Sequence, residues 1–390
     1  MIVGVPKEIY PGERRVALTP AVVSLLSKAG LEVVLEAGAG ESAGYPDPQY
    51  QEKGAKLLSD RAAVFAQADI LVQVLVHGAN DKNGAEDLRL LRRSQVLIGF
   101  MRPLGSAEAV QQIAHTGVSS YSVELIPRTT RAQSMDALSS MASIAGYKAV
   151  VVVADALPRI FPMMTTAAGT ITPARVLVIG AGVAGLQAIA SAKRLGAVVS
   201  AYDVRPAVKE QVQSLGGRFV ELPLETGEAQ DARGYAKAQD EAFYAKQREL
   251  LGNVIAESDA VITTAVVPGK KAPILVTEAM VKRMPPGSVI LDLAAERGGN
   301  SELTRPGATI SAHGVTIIGP INLASTAPYH ASQMYARNLT SFLTNLVKDG
   351  KLRPAESDEI IRETLLTEGG EVMNARVREI LGLPALATQG

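Results

Sequence analysis

The sequence predicts an α/β protein of two doubly wound domains with mainly parallel sheets, joined by long helices. Three observations predict it. Short, almost uninterrupted apolar runs alternate with helix-like stretches, the pattern of parallel strands buried on both faces. The alternation runs twice, once in each half of the chain. The length, 390 residues, suits two domains.

The first series is IVGVPKE, LEVVLEAG, ADILVQVL, QVLIGFM and SSYSVELI. After its first strand comes TPAVVSLLSKAG, with Thr-Pro at the start and Gly at the end, as a helix begins and stops. The second series is RVLVIGA, AVVSAYDV, GRFVEL, SDAVITTAV, SVILDLA and VTIIG. The stretches Asp136–Leu157 and Asn322–Val347 carry small and apolar residues at helical spacing, the second from its middle onward. They are read as the helices at the domain joints. The second returns the chain to the first domain, so the expected division is 1–137 plus 325–390 against 138–324. Between Leu222 and Phe243 a polar segment interrupts the second series. Connections longer than about 12–15 residues are usually functional or mobile, although an idle surface insertion reads the same way. No short-period repeat is visible.

The balance of 39 basic and 39 acidic residues argues against a nucleic-acid partner held by bulk charge. The absence of Cys excludes disulfides, thiol catalysis and cysteine-ligated metals, and four scattered His show no metal spacing. No metal is expected. Lys7 onward is charged, unlike a signal peptide. The longest apolar runs, such as Ala149–Ala154, fall far short of the roughly 18–20 residues of a membrane span. A soluble chain is expected, with room for peripheral attachment to a membrane partner.

RVLVIGAGVAGLQAIASAKRLGAVVSAYDVRP reads strand, glycine turn, helix, strand. Gly180, Gly182 and Gly185 form G-x-G-x-x-G. The first permits the tight turn, the second lets a pyrophosphate approach the backbone, and the third lets helix and strand pack closely. The helix start offers free N–H groups and a positive dipole end to the phosphates. Asp203, ending the next strand, suits a ribose diol. A lone glycine motif is weak evidence; here its strand, helix and acidic residue are all present, and a Rossmann-like dinucleotide domain is expected. Asp203 would repel a 2′-phosphate and so favours NAD, while Arg205 nearby blurs that preference. Thr263, Thr264 and Pro268 follow another apolar strand, where open α/β sheets bind ligands, although a plain strand-to-helix turn would look alike.

RTTRAQSMDALSSMASIAGYKAV, from Arg128, crowds Arg, Gln, Asp and Ser between a strand and a long helix. These groups need hydrogen-bond partners. They either cap the helix, at Ser134 or Asp136, or hold a ligand. A dehydrogenase acting on an alcohol or amino acid also needs a proton acceptor, and no Lys or His cluster offers one.

IGAGVAGLQAIASAKRLGAVVSAYDVRP and RAQSMDALSSMASIAGYKAV closely resemble the NAD(H)-binding component of proton-translocating nicotinamide nucleotide transhydrogenase. So do FPMMTTAAGT, ITTAVVPGKKAP and LDLAAERGGN, and the resemblance covers essentially the whole chain. It implies NAD(H) bound by this chain and NADP(H) bound by a partner domain, with hydride transfer coupled to proton movement through membrane-spanning subunits. It also implies a homodimer that docks the NADP(H)-binding domain at an interdomain cleft. Its place would be cytoplasmic, attached peripherally to the inner (plasma) membrane. Arg128, Gln133, Asp136 and Ser139 match the family's loop against the nicotinamide and ribose. Gly234, Tyr235 and Ala236 match the tip of a mobile loop near 223–240 that closes over the nucleotide, where Tyr235 would exclude water. The implied nucleotide site further includes Val183, Val204, Arg205, Gln247, Thr264, Ala265 and Val266.

VPKEIYPGERRVALTP also resembles alanine dehydrogenase and the saccharopine dehydrogenases. That resemblance implies a substrate Lys where Leu75 stands, an active-site His at Arg102 and a catalytic-region Asp at Glu296. Arg15 is retained, but in a motif common to both families. Losing the Lys and the His removes amino-acid chemistry. It leaves transhydrogenation intact, because direct hydride transfer between two nicotinamides exchanges no solvent proton and needs geometry rather than a base. A catalytically idle NAD-binding module is a third possibility.

Overall fold

The computed structural model describes residues 1–223, 240–267 and 269–386. The chain forms two compact units, Met1–Met141 with Ser325–Gly390, and Ala142–Ala324. The division falls inside the helix Ala137–Ala156. The expectations for Gly234, Tyr235, Ala236 and Pro268, and most of the polar segment, lie outside the described residues. The far end of that segment is not a break: Glu241–Phe243 open the helix Glu241–Ala256, whose cap Asp240 accepts from Phe243 N at 2.7 Å.

The first unit holds β1 (Ile2–Val5), β2 (Glu32–Glu36), β3 (Lys56–Leu58), β4 (Ile70–Leu75), β5 (Val96–Phe100) and β6 (Ser119–Ser122). They pair in parallel in the order β3-β2-β1-β4-β5-β6. Leu365–Glu368 and Glu371–Val372 extend the sheet antiparallel beyond β6. The five runs read as strands are strands, and β5 is buried along its whole length. β3 escaped the sequence because it is a three-residue edge strand with Lys56 exposed. Such a strand is recruited by its neighbour and carries no apolar period of its own.

Glu8, in the loop after β1, bridges to β4, where its carboxylate accepts from Val74 N at 2.6 Å and Leu75 N at 3.1 Å. Burial, and then the neighbouring Glu13 carboxylate, push its pKa from 4.5 up to about 8. The folded state therefore holds a proton that the unfolded chain releases. Stability from this group is full below about 4.5 and is lost as pH rises through about 8. Denaturant titrations should show wild type losing stability relative to Glu8→Gln across that window. Parallel pH profiles of the two proteins would show that Glu8 is not the buried acid.

The second unit holds the hairpin β7 (Met164–Thr166) and β8 (Gly169–Ile171), then β9 (Arg175–Ile179), β10 (Val198–Tyr202), β11 (Arg218–Phe219), β12 (Ala260–Thr263), β13 (Val289–Asp292), β14 (Ala308–Ala312) and β15 (Val315–Gly319). The sheet order is β11-β10-β9-β12-β13-β15-β14, parallel except for β14 against β15. Successive side chains go to opposite cores. Val176, Val178, Ala260 and Ile262 face one cluster with Ala149, Val150 and Val153, while Leu177, Ile179, Val261 and Ile290 face the other with Leu251 and Ile255. Burial on both faces is why these strands read as continuous apolar runs. β14, half exposed at an edge, did not.

The helix Ala137–Ala156 is long and apolar enough to cross a bilayer by composition, with a mean hydropathy of 1.6. Interspersed Ser139, Ser140, Ser143 and Lys148 had broken it into short runs in the sequence. In the second unit it is a packing helix. Ala149, Val150 and Val153 are fully buried, and Gly146 lies so close to the Ala184 carbonyl that a β-carbon would overlap it.

Candidate functional site

In the second unit the strand order reverses between β9 and β12. Loops leaving these two strands diverge, and the crevice at their carboxyl ends is where open α/β sheets take ligands. The glycine turn leaves β9 and enters the helix Val183–Arg194. Gly180 has φ 100°, a conformation open to glycine at little cost. A β-carbon on Gly185 would overlap the Gly180 carbonyl oxygen, so this glycine serves the contact of helix with strand. Gly182 differs from both. It caps the helix with φ −77° and ψ −168°, and a β-carbon there would meet no described atom within 4 Å. Nothing inside the protein asks for a glycine at 182; the space above it lies at the start of a 12-residue helix whose N–H groups and dipole favour an anion.

Thr264, directly after β12, closes the other side of the turn. Its Oγ1 donates to the Gly180 carbonyl at 2.9 Å, and its N–H donates to Ile179 O at 2.8 Å. Ala265 is held at both backbone groups by one side chain. Its N–H donates to Asn300 Oδ1 at 3.0 Å, and its carbonyl accepts from Asn300 Nδ2 at 2.8 Å. Asn300 is in turn fixed by Asp292, which is fully buried at the end of β13. Asp292 Oδ2 accepts from Asn300 N at 2.6 Å and Thr304 Oγ1 at 2.7 Å, and its Oδ1 accepts from Thr263 Oγ1 at 2.8 Å. Thr263 thus points into the protein, whereas Thr264, Ala265 and Val266 are half-buried beside the turn. Sequence reasoning missed Asp292 and Asn300. The available signal was a carboxylate ending a wholly apolar strand, VILD, since a buried charge must be met by several donors.

Asp203 stands at the end of β10, with Val204 half-buried next to it. Its Oδ2 accepts from Ala181 N, in the glycine turn, at 2.7 Å. Arg205 takes the rest of the carboxylate, with N and Nε on Oδ1 at 2.9 Å each and Nη2 on Oδ2 at 2.8 Å. Gln247, on the helix Glu241–Ala256, is 1% exposed and donates through Nε2 to Tyr202 Oη at 2.9 Å. Its Oε1 is buried without a partner among the described residues. A buried acceptor left open costs about 1–3 kcal/mol, which a donor on a ligand would recover.

In the first unit, Thr130–Met135 forms a 3₁₀ turn before the long helix. Ala132 and Met135 are buried at i and i+3, the same face of such a turn. Gln133 and Ser134 are consequently exposed. Asn338 Nδ2 donates to Ser134 O at 2.9 Å, and Arg131 clasps Asp358 at 2.6 and 3.1 Å. The helix cap is Asp136, not Ser134: Oδ1 accepts from Ser139 N at 2.9 Å and Oδ2 from Ser139 Oγ at 2.6 Å. The structure therefore joins Asp136 to Ser139. Gln133 makes no side-chain hydrogen bond among the described residues, and Arg128 is exposed. At the positions where alanine dehydrogenases were expected to differ, Leu75 is half-buried and Arg102 is exposed at φ 51°. Glu296 accepts from Asn322 N at 2.6 Å.

Comparison with known proteins places this architecture. Residues 4–145 match the alanine dehydrogenase/PNT N-terminal domain, and residues 149–375 match the alanine dehydrogenase/PNT C-terminal domain. The chain is 45% identical over 393 residues to an NAD(P) transhydrogenase subunit alpha chain of Rhodospirillum rubrum, covering 100% of both. It is similar to the crystal structure of transhydrogenase from Sinorhizobium meliloti, with a TM-score of 0.83 and 42% identity, over 96% of this chain and 99% of that one. An L-alanine dehydrogenase structure, 24% identical with a TM-score of 0.79 over 98% of this chain and 99% of that one, shares the fold. The chain belongs to the alanine dehydrogenase/PNT family of oxidoreductases, on the branch of the NAD(P) transhydrogenase alpha subunits.

Proposed function

We propose that this chain is the NAD(H)-binding component of a proton-translocating transhydrogenase. It presents NAD(H) for hydride exchange with NADP(H) held on a partner domain. The observation that carries this reading is Gly182: a helix-capping glycine with open space where its side chain would be. The residues present fit a dinucleotide. The Gly180–Gly185 turn and the start of its helix, including Val183, suit the pyrophosphate. Asp203, with Val204 and Arg205, suits the adenosine ribose, and the open Oε1 of Gln247 suits a donor on the nucleotide. Thr264, Ala265 and Val266 offer a backbone edge stiffened by Asn300. Arg128, Gln133, Asp136 and Ser139 are assigned to the nicotinamide and its ribose.

The bound nucleotide supplies the hydride; the chain's residues bind it, orient it and keep water away. With Leu75 and Arg102 in place of the expected Lys and His, no side chain there is suited to proton abstraction, which disfavours an amino-acid oxidoreductase. Calorimetry and stopped-flow assays test the reading. NADH should bind the isolated chain, and turnover should appear only when an NADP(H)-binding transhydrogenase domain is added. Reduction of NAD by alanine would reverse it, and binding without any turnover would leave an idle nucleotide module.

The same reading places the chain in a homodimer beside membrane-spanning subunits, on the cytoplasmic side of the inner (plasma) membrane. The β7–β8 hairpin supports a second copy as partner. All six strand residues are exposed, and with Ile160 they present apolar surface, with Met163 66% and Ile171 49% exposed. A two-stranded ribbon alone is marginal in water, and such patches mark interfaces. Met163→Glu combined with Ile171→Glu should turn dimer into monomer in sedimentation velocity. A persistent dimer would place the interface elsewhere.

A further inference from the structure

A carboxylate offers about four lone-pair positions. On Asp203 all four are taken by the chain itself: Arg205 N and Nε on Oδ1, and Ala181 N and Arg205 Nη2 on Oδ2. The two side chains are 5% and 13% exposed, so the pair is largely withdrawn from water. A vicinal diol cannot donate to this carboxylate until donors leave it. The two backbone donors cannot leave. Ala181 N belongs to the turn between β9 and its helix, and Arg205 N is two residues along the same loop. The guanidinium can, because it sits on a flexible stem.

We propose that Arg205 is a displaceable plug in the ribose-diol seat and thereby sets nucleotide specificity. The proposal rests on the assignment of Asp203 to the adenosine ribose. Entry of the diol exchanges two charge-assisted bonds, Nε and Nη2, for two hydroxyl bonds. Affinity for a 2′-hydroxyl nucleotide is therefore held below what the bare carboxylate would give. The released guanidinium remains tethered beside the seat, where its charge offsets the repulsion between Asp203 and a 2′-phosphate. One side chain thus acts with opposite sign on two ligands that differ by one phosphate.

Calorimetric titration of the full-length chain with NADH and with NADPH tests this, using wild type, Arg205→Ala, Arg205→Lys and Asp203→Ala. Arg205→Ala should bind NADH about three- to tenfold more tightly and NADPH more weakly. Arg205→Lys, with a point charge and no fork, should fall between Arg205→Ala and wild type even if Arg205→Ala proves unstable. In wild type the Arg205 Nε–H resonance should move when NADH is added. Arg205→Ala or Arg205→Lys weakening NADH and NADPH alike, or an Nε–H signal unmoved by bound NADH, would overturn the plug while leaving the nucleotide reading intact. Asp203→Ala with wild-type NADH affinity would instead remove the ribose assignment, and absence of NADH binding in every variant would remove the nucleotide reading itself.

Discussion

Gly182→Val should abolish measurable NADH binding while leaving the free protein folded, and Gly185→Ala should do the reverse in kind, collapsing stability first. The two glycines lie three residues apart in one motif, and the structure assigns them different physics. At Gly182 the backbone is extended, at φ −77° and ψ −168°, which any residue adopts, and added atoms meet open space. Valine there costs the preference for glycine over valine at a helix cap, about 1 kcal/mol. That is a fall of about 2–4 °C for a unit of this size. The same atoms would fill the approach to the helix N-terminus and hold a pyrophosphate away from the N–H groups. We expect a loss of at least about a hundredfold in affinity, near 3 kcal/mol. At Gly185 a single methyl would overlap the Gly180 carbonyl, a backbone atom that has no rotamer to turn. Overpacking of this kind costs about 1–3 kcal/mol and sometimes more, so melting should fall by several degrees whether or not nucleotide is present. Equal melting losses in both variants would show that Gly182 is a packing glycine and would remove the main support for the dinucleotide site.

Gln133→Asn and Asp136→Asn should each lower single-turnover hydride transfer by about a hundredfold in the complex with an NADP(H)-binding domain, with NADH affinity changed only a few-fold. Small misplacement of reacting atoms has this scale of effect on rate. Gln133 is a sensitive probe because its exposed side chain makes no hydrogen bond among the described residues, so shortening it should leave the melting curve unmoved. Asp136 carries a second duty as the cap on Ser139. Asn caps about as well as Asp, so Asp136→Asn keeps the helix start and removes the charge. If this segment is only a helix start, both variants transfer hydride at the wild-type rate, and Asp136→Ala loses about 1 kcal/mol of stability. Stopped-flow rates beside melting curves separate the two accounts.

The two predictions draw on different kinds of information. The strands and the glycine turn were legible in the sequence because their causes are local. A strand buried on both faces must be apolar at every position, as Val176–Ile179 and Ala260–Ile262 are. A turn that needs φ 100° at Gly180 accepts glycine at little cost. Edge strands such as β3 and β14 were not legible, because half-exposed residues paired on one side carry no continuous apolar signal. The helix Ala137–Ala156 was legible as a helix, but its capping residue was open between Ser134 and Asp136 until the 3₁₀ turn set which side chain faces Ser139. Asp203 was legible as a candidate, and its occupation by Arg205 was not, since which rotamer a guanidinium takes depends on every donor and acceptor around it. Asp292 and Asn300 carried no local signal of their link to Ala265: the contact spans 35 residues of chain and exists only once β12 and β13 lie side by side. By itself, then, the sequence determined which segments are buried and where the backbone must turn, because those depend on composition and local sterics. The tertiary structure alone decided which polar group meets which, because a hydrogen bond requires two atoms brought within about 3 Å by chain segments that the sequence lists far apart.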